Sequence, residues 1–169
     1  SVLAYAPFGQ FWLQPLCWGL LYALLIRAPR ARRGAALAAA WGVGAFFAGL
    51  CWLVVALNLY GGLVLPLAVG FIILMSLILA VYPALSGALF VRYMPRQGLM
   101  RAVITAAFWT LGELARGQLF PAFPWLAIGY TQTPPSPLAG WAALSGVYGV
   151  SFLLALSSAW LVEAWLTPP

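Results

Sequence analysis

Apolar residues run almost without interruption along this chain, and the few charged positions fall in short clusters that divide it into helix-sized lengths. Residues 34–91 carry no charge. A membrane-spanning helix needs about 20 residues, so this stretch predicts two helices and a tight connection. Asn58-Leu-Tyr-Gly-Gly62 supplies the connection, because Asn and paired Gly form turns. The two helices are then Ala35–Leu57 and Leu63–Val91. Pro66 suits a first turn, whereas Pro83 falls in the interior and predicts a kink. Upstream, Phe11–Ile26 reads as a slightly short helix with Pro15 in its first turn, and Ala6-Pro-Phe-Gly9 as a turn after the tail of an earlier helix. Downstream, Leu99–Leu114 and Leu138–Leu166 read as further helices. The expected fold is an all-α, polytopic transmembrane helix bundle, with about five full spans plus the tail of a sixth. Residues 1–169 form one transmembrane domain in this reading. The chain starts with Ser1, and Leu166-Thr-Pro-Pro169 closes no recognisable unit, so a partial domain is expected.

Composition narrows the class. The chain is 65% hydrophobic and 6% charged, with a mean hydropathy of +1.01. Soluble domains carry roughly 25% charged and about 45–50% apolar residues. A transmembrane barrel is excluded, because it needs alternating polar lumen positions and polar loops. Lys, Asp and His are absent, so there is no Ser-His-Asp triad and no His-based metal site. Cys17 and Cys51 lie in apolar stretches and read as small packing residues, not as a disulfide or CxxC motif.

The charges also orient the bundle. Arg27, Arg30, Arg32 and Arg33 form one cluster, and Arg92, Arg96 and Arg101 another, at the two ends of one helical hairpin. Such clusters set topology and do not point to nucleic acid. The positive-inside rule places residues 27–33 and 92–101 in the cytoplasm and 117–137 outside. Trp12, Trp52, Tyr60 and Trp141 near the outer helix ends, with Tyr93, Trp160 and Trp165 near the inner ends, read as aromatic belts. Four small-xxx-small patterns (Ala38/Gly42, Ala45/Gly49, Ala142/Gly146 and Ser145/Gly149) suggest close helix contacts. No inverted repeat or mid-helix charge favours a transporter or channel.

Residues 117–137 behave differently. Five prolines break the segment, yet Phe120, Phe123, Trp125, Leu126, Ile128 and Tyr130 keep it apolar. It therefore lies in the outer interface or re-enters the bundle. It serves either as a hairpin packed for stability or as the wall or lid of a lipid-facing cavity. Just before it, Trp109, Glu113 and Arg116 share one helical face, and Glu113 and Arg116 can pair at i, i+3. Ionisable groups near a membrane are functional candidates, with a topology-fixing ion pair as the alternative. Glu163 reads as an interfacial charge. Tyr148 and Ser151 read as hydrogen-bonding groups toward a neighbouring helix or a lipid headgroup.

Several motifs recur in a fixed order: Glu113-x-x-Arg-Gly117, Phe123-Pro-Trp125, Gly129-Tyr130-x-Gln132, Ser136-Pro-Leu-Ala-Gly140 and Gly146-Val-Tyr-Gly-Val-Ser-Phe152. With Ala6-Pro-Phe-Gly9 and Tyr60-Gly61-Gly62 upstream, the set resembles the membrane domain of bacterial apolipoprotein N-acyltransferases. Ala122, Ala143 and Ser145 depart from the family pattern, where Gly, Pro and Gly are common, but remain small. The resemblance implies an inner-membrane acyltransferase. Such an enzyme moves an acyl chain from a phospholipid donor to the α-amino group of a lipoprotein's N-terminal diacylglyceryl-cysteine. It implies no cofactor, and a catalytic Glu-Lys-Cys set in a downstream nitrilase-like domain. None of that set matches this chain, so no catalytic residue is expected here and the fragment alone is expected to be inactive. Candidate lipid-binding or positioning residues are Glu113, Arg116, Phe123, Pro124, Trp125, Tyr130 and Tyr148. The alternative the resemblance leaves open is an acyltransferase-like membrane anchor that accompanies a polyprenol-phosphate mannose synthase.

Overall fold

A computed structural model describes residues 2–166; the closing Thr-Pro-Pro of the sequence therefore lies outside the described residues. The architecture is an all-α bundle. Its helices are α1 (Leu13–Leu25), α2 (Ala31–Leu50), α3 (Trp52–Val55), α4 (Leu65–Leu79), α5 (Val81–Arg92), α6 (Gly98–Gln118) and α7 (Ala142–Leu166). Cys51 keeps helical dihedrals between α2 and α3, and a π-helical turn over Ala56–Tyr60 carries the rod three residues into the expected Asn58–Gly62 connection. There Gly62 adopts φ 66°, a conformation open to glycine, and Asn58 Nδ2 donates to the Leu63 carbonyl at 2.7 Å. Pro83 offers no N–H to the Leu79 carbonyl, and the helix is interrupted at Ala80 between α4 and α5.

Three stretches are long and apolar enough to cross a membrane: Ala31–Leu50, Leu65–Arg92 and Ala139–Leu166. The expected five full spans and partial sixth are therefore met by length and composition for three. The shortfall has two causes. The 13 residues of α1 rise only about 20 Å. The 21-residue α6 is long enough, but Arg101, Glu113 and Arg116 dilute its apolar character. The last helix also differs from the uninterrupted Leu138–Leu166 expected. A 3-10 turn covers Ala139–Trp141, and Gly146 breaks the rod with φ 64° and ψ −174°.

Packing follows small residues and aromatic rings. α2 lies against α5, α6 against α5 and α7, and α1 against α7. Gly34 and Gly87 let α2 and α5 touch: a Cβ on Gly87 would meet Ala38 Cβ and the Gly34 carbonyl at 2.7 Å. Gly42 similarly faces the Pro83 ring, and Gly49 faces Leu126. Thus the Ala38/Gly42 and Ala45/Gly49 patterns mark close contacts, whereas Ala142 and Gly146 are exposed. The core contains a ring cluster absent from the sequence reading. Trp109 meets Trp18 edge-on at 5.7 Å and Trp41 at 5.1 Å, while Tyr22 lies 5.9 Å from Phe90. Such pairs add about 0.5–1.5 kcal/mol beyond burial.

Glu163, expected as an interfacial charge, does not face the surroundings. It is buried and receives Arg101 Nε at 2.9 Å, Arg101 Nη2 at 2.6 Å and the Tyr22 hydroxyl at 2.5 Å. This bond set ties the start of α6 and the end of α7 to α1. Both Arg clusters consequently lie at one end of the bundle. Of the cysteines, Cys17 is partly buried, while Cys51 is exposed on the helix surface with Sγ 3.0 Å from the Phe47 carbonyl.

Candidate functional site

Residues 119–138 have too many prolines to form a helix, so their backbone donors and acceptors need partners from elsewhere. Side chains from four other parts of the chain supply them. Glu113, buried on α6, accepts the Ile128 N–H at 2.8 Å and Trp109 Nε1 at 3.1 Å through Oε1. One turn on, Arg116 Nη1 donates to the Phe123 carbonyl at 3.0 Å and to the Trp125 carbonyl. Phe123 returns an N–H to the Arg116 carbonyl at 2.9 Å. The Tyr5 hydroxyl donates to the Leu126 and Ala127 carbonyls at 3.0 and 3.3 Å, and the Tyr82 hydroxyl to the Phe120 carbonyl. Ser151 Oγ accepts the Gly129 N–H at 2.9 Å.

The loop therefore re-enters the bundle. Ala127, Ile128, Gly129, Thr131 and Gln132 are buried, and Ile128 packs into the main core. Gly129 is required there, since a Cβ would fall 2.9 Å from Ser151 Oγ and overlap the Val147 carbonyl. The return limb is closed by Ser136 Oγ, which donates to Gln132 Oε1 at 2.7 Å, and by Gln132 Nε2, which reaches the Phe11 carbonyl at 3.3 Å.

Glu113 and Arg116 do share a face, as their spacing suggests, but they are not bonded to each other. Among the described residues the ion pair is Arg101–Glu163. Each of the two instead holds loop backbone, and their opposite charges act on one another across the site. Arg116 is buried, with its guanidinium carbon 5.0 Å from the centre of the Phe46 ring. Both residues border a small cavity of about 20 Å³, together with Ser86 and Tyr82. That volume holds about one water molecule.

The remaining candidates lie above this clamp. Trp125 is 48% exposed and stacks on Trp52 at 5.7 Å, with the Phe123 ring tilted against it at 5.3 Å. Phe123 is half-buried and packs on the second core cluster, and Pro124 is exposed beside Gly117. Tyr130 is 47% exposed and borders a cavity of about 460 Å³ with Trp52, Tyr5 and Leu126. Tyr148 is set apart from that cavity, half-buried, with its hydroxyl over Gly117. Tyr5 and Tyr82 take part in the site without having been singled out from the sequence, and Trp52 was read there only as part of the outer aromatic belt. Only the proximity of Tyr5 to the Ala6–Gly9 motif could have flagged one of them.

The sequence model of the apolipoprotein N-acyltransferase N-terminal domain matches residues 1–160. The chain belongs to that family. It is 42% identical over 159 residues to the apolipoprotein N-acyltransferase of Chromobacterium violaceum, covering 94% of this chain and 30% of that protein. It is 43% identical over 167 residues to the enzyme of Nitrosomonas europaea, with 98% and 33% covered, and 37% identical over 161 residues to that of Neisseria meningitidis serogroup B, with 95% and 31% covered. The chain thus spans about a third of the length of these family members. What matches is the family's N-terminal domain, and here that domain is a multi-pass membrane unit.

Proposed function

We propose that this chain is the membrane part of an apolipoprotein N-acyltransferase, and that its re-entrant loop shapes lipid access to a catalytic domain outside these residues. In that reading α1 and α6 also cross the membrane, shielded by neighbouring helices. This makes five spans, with residues before Gly9 as the tail of a sixth. The Arg-bearing end faces the cytoplasm and the re-entrant loop faces the periplasm of a bacterial inner membrane. The substrates are a phospholipid acyl donor and the N-terminal diacylglyceryl-cysteine of a lipoprotein. A nitrilase-like domain supplies the thiol nucleophile.

The observation that carries the reading is the pinned loop. Backbone from 120 to 129 is held by Tyr5, Tyr82, Glu113, Arg116 and Ser151, while Tyr130 lines a cavity of about 460 Å³ with Trp52, and Trp125 stays exposed against the Trp52 ring. That size lies within the about 300–1,000 Å³ typical of small-molecule sites. Phe123, Pro124, Trp125 and Tyr130 form the wall of the acyl-chain route. Glu113 and Arg116 position that wall, and Tyr148 supports its base over Gly117.

A chimera tests this. Residues 1–160 replace the matching segment of the Chromobacterium violaceum enzyme, and acylation of a diacylglyceryl-cysteine lipopeptide is followed by its mass increase. The expected result is a membrane-inserted, active chimera. A chimera inserted at parental abundance but devoid of acylation overturns the proposal.

A further inference from the structure

Every exposed charge of the described residues sits at one end of the bundle. Arg27, Arg30, Arg32 and Arg33 lie in the α1–α2 connection and the first turn of α2, and Arg92 and Arg96 at the end of α5 and just beyond it; all six are exposed. Both carboxylates are bonded within the protein. Glu163 holds Arg101 and Tyr22, and Glu113 is buried under the re-entrant loop. The two Arg groups are brought side by side by the α2–α5 contact, where a Cβ on Gly34 would meet Val91 Cγ2 at 2.5 Å and the Gly87 carbonyl at 2.7 Å.

We propose that this end is a binding surface for anionic glycerophospholipids, which it engages through their headgroup phosphodiesters. Charge complementarity is the first argument. Arg30, Arg32 and Arg33 crowd the positive end of α2 with no acidic residue in its first turn, so like charges add to the helix dipole until an anion compensates them. The side chains are all Arg, whose planar fork matches phosphate oxygens in pairs. The second argument concerns where that phosphate is attached. Exposed Leu24, Leu89, Leu99 and Met100 flank the Arg residues toward the membrane, and the Arg92 guanidinium lies 5.8 Å over the Tyr93 ring at the helix end. A phosphate tethered to acyl chains satisfies the cations and the apolar flank together, which a free phosphate does not.

The test uses the whole chain in nanodiscs of phosphatidylcholine doped with trace spin-labelled phosphatidylglycerol or spin-labelled phosphatidylcholine. The fraction of each label immobilised at the protein is read by electron spin resonance. The parent is expected to enrich phosphatidylglycerol over phosphatidylcholine. Either pair, Arg32→Gln with Arg33→Gln or Arg92→Gln with Arg96→Gln, is expected to cut the enrichment about five-fold or more. The same positions changed to Lys should retain most of it. Salt at about 0.5 M should weaken it in the parent, an arm that depends on no variant folding or inserting normally. Orientation is already fixed in the disc, so a purely topological role for the Arg clusters predicts equal immobilisation of both labels. That result overturns the proposal. So does an enrichment unchanged in both Gln pairs, or one abolished by millimolar glycerol phosphate, which would mark a site for soluble phosphate.

Discussion

Arg116→Met separates a clamp from a headgroup ligand. Methionine keeps the apolar stem over Phe46 and removes the guanidinium that holds the Phe123 and Trp125 carbonyls. Hydrogen bonds to a charged group contribute about 1.5–3 kcal/mol each in soluble proteins. Bonds between membrane helices average nearer 0.6 kcal/mol, because the unfolded chain in the membrane also finds partners. Two lost bonds therefore bracket the cost at about 1–6 kcal/mol. The prolines on either side leave the freed carbonyls no helical alternative, and Glu113 loses the countercharge on its own face. Both place the expected loss in the middle of that range, at about 3 kcal/mol. Unfolding by SDS in mixed micelles, followed by tryptophan fluorescence, measures it. Limited proteolysis within residues 117–137 should rise in parallel. A variant within about 0.5 kcal/mol of the parent, with its loop equally protected, would refute the clamp. Weakened lipid binding in such a variant would instead support a headgroup contact.

Other expectations follow from the same geometry. Gly129→Ala pushes a methyl group into the Val147 carbonyl and Ser151, so it should destabilise the chain by about 1–3 kcal/mol, read by SDS unfolding. Gly87→Val should do the same by separating α2 from α5, and should lower the yield of folded chain in detergent. A double-mutant cycle of Arg101→Gln and Glu163→Gln should give a coupling of about 1 kcal/mol or more, because the pair is bidentate and half-sheltered; near-zero coupling contradicts the tie between α6 and α7.

What was legible in the sequence had local causes. The chain leaves the helix at Gly61, three residues later than expected, because Asn58 bonds the Leu63 carbonyl and Gly62 takes a positive φ, and Pro83 breaks a helix by lacking one N–H. Helix positions followed from the apolar runs, although α2 begins within the first Arg cluster and α6 runs on past Arg116. Partner choice did not. The spacing of Glu113 and Arg116 suggested that they bond each other, whereas their partners are main-chain groups at 123, 125 and 128, freed because prolines deny that segment a helix. Glu163 looked interfacial because its partners Arg101 and Tyr22 lie 62 and 141 residues away. Gly146 was read as a packing residue, since nothing local distinguishes a helix break from a small contact in an Ala- and Gly-rich run.

The central claim is that the pinned loop lines the lipid route. Its most direct test is acylation by the active chimera carrying Phe123→Ala, Trp125→Ala or Tyr130→Ala, each measured against the amount of protein in the membrane. The account predicts that turnover of the lipopeptide falls by about ten-fold or more, equivalent to roughly 1.4 kcal/mol in the barrier, while abundance changes little. Activity that declines only in step with abundance would contradict it, and would leave the loop as a structural hairpin.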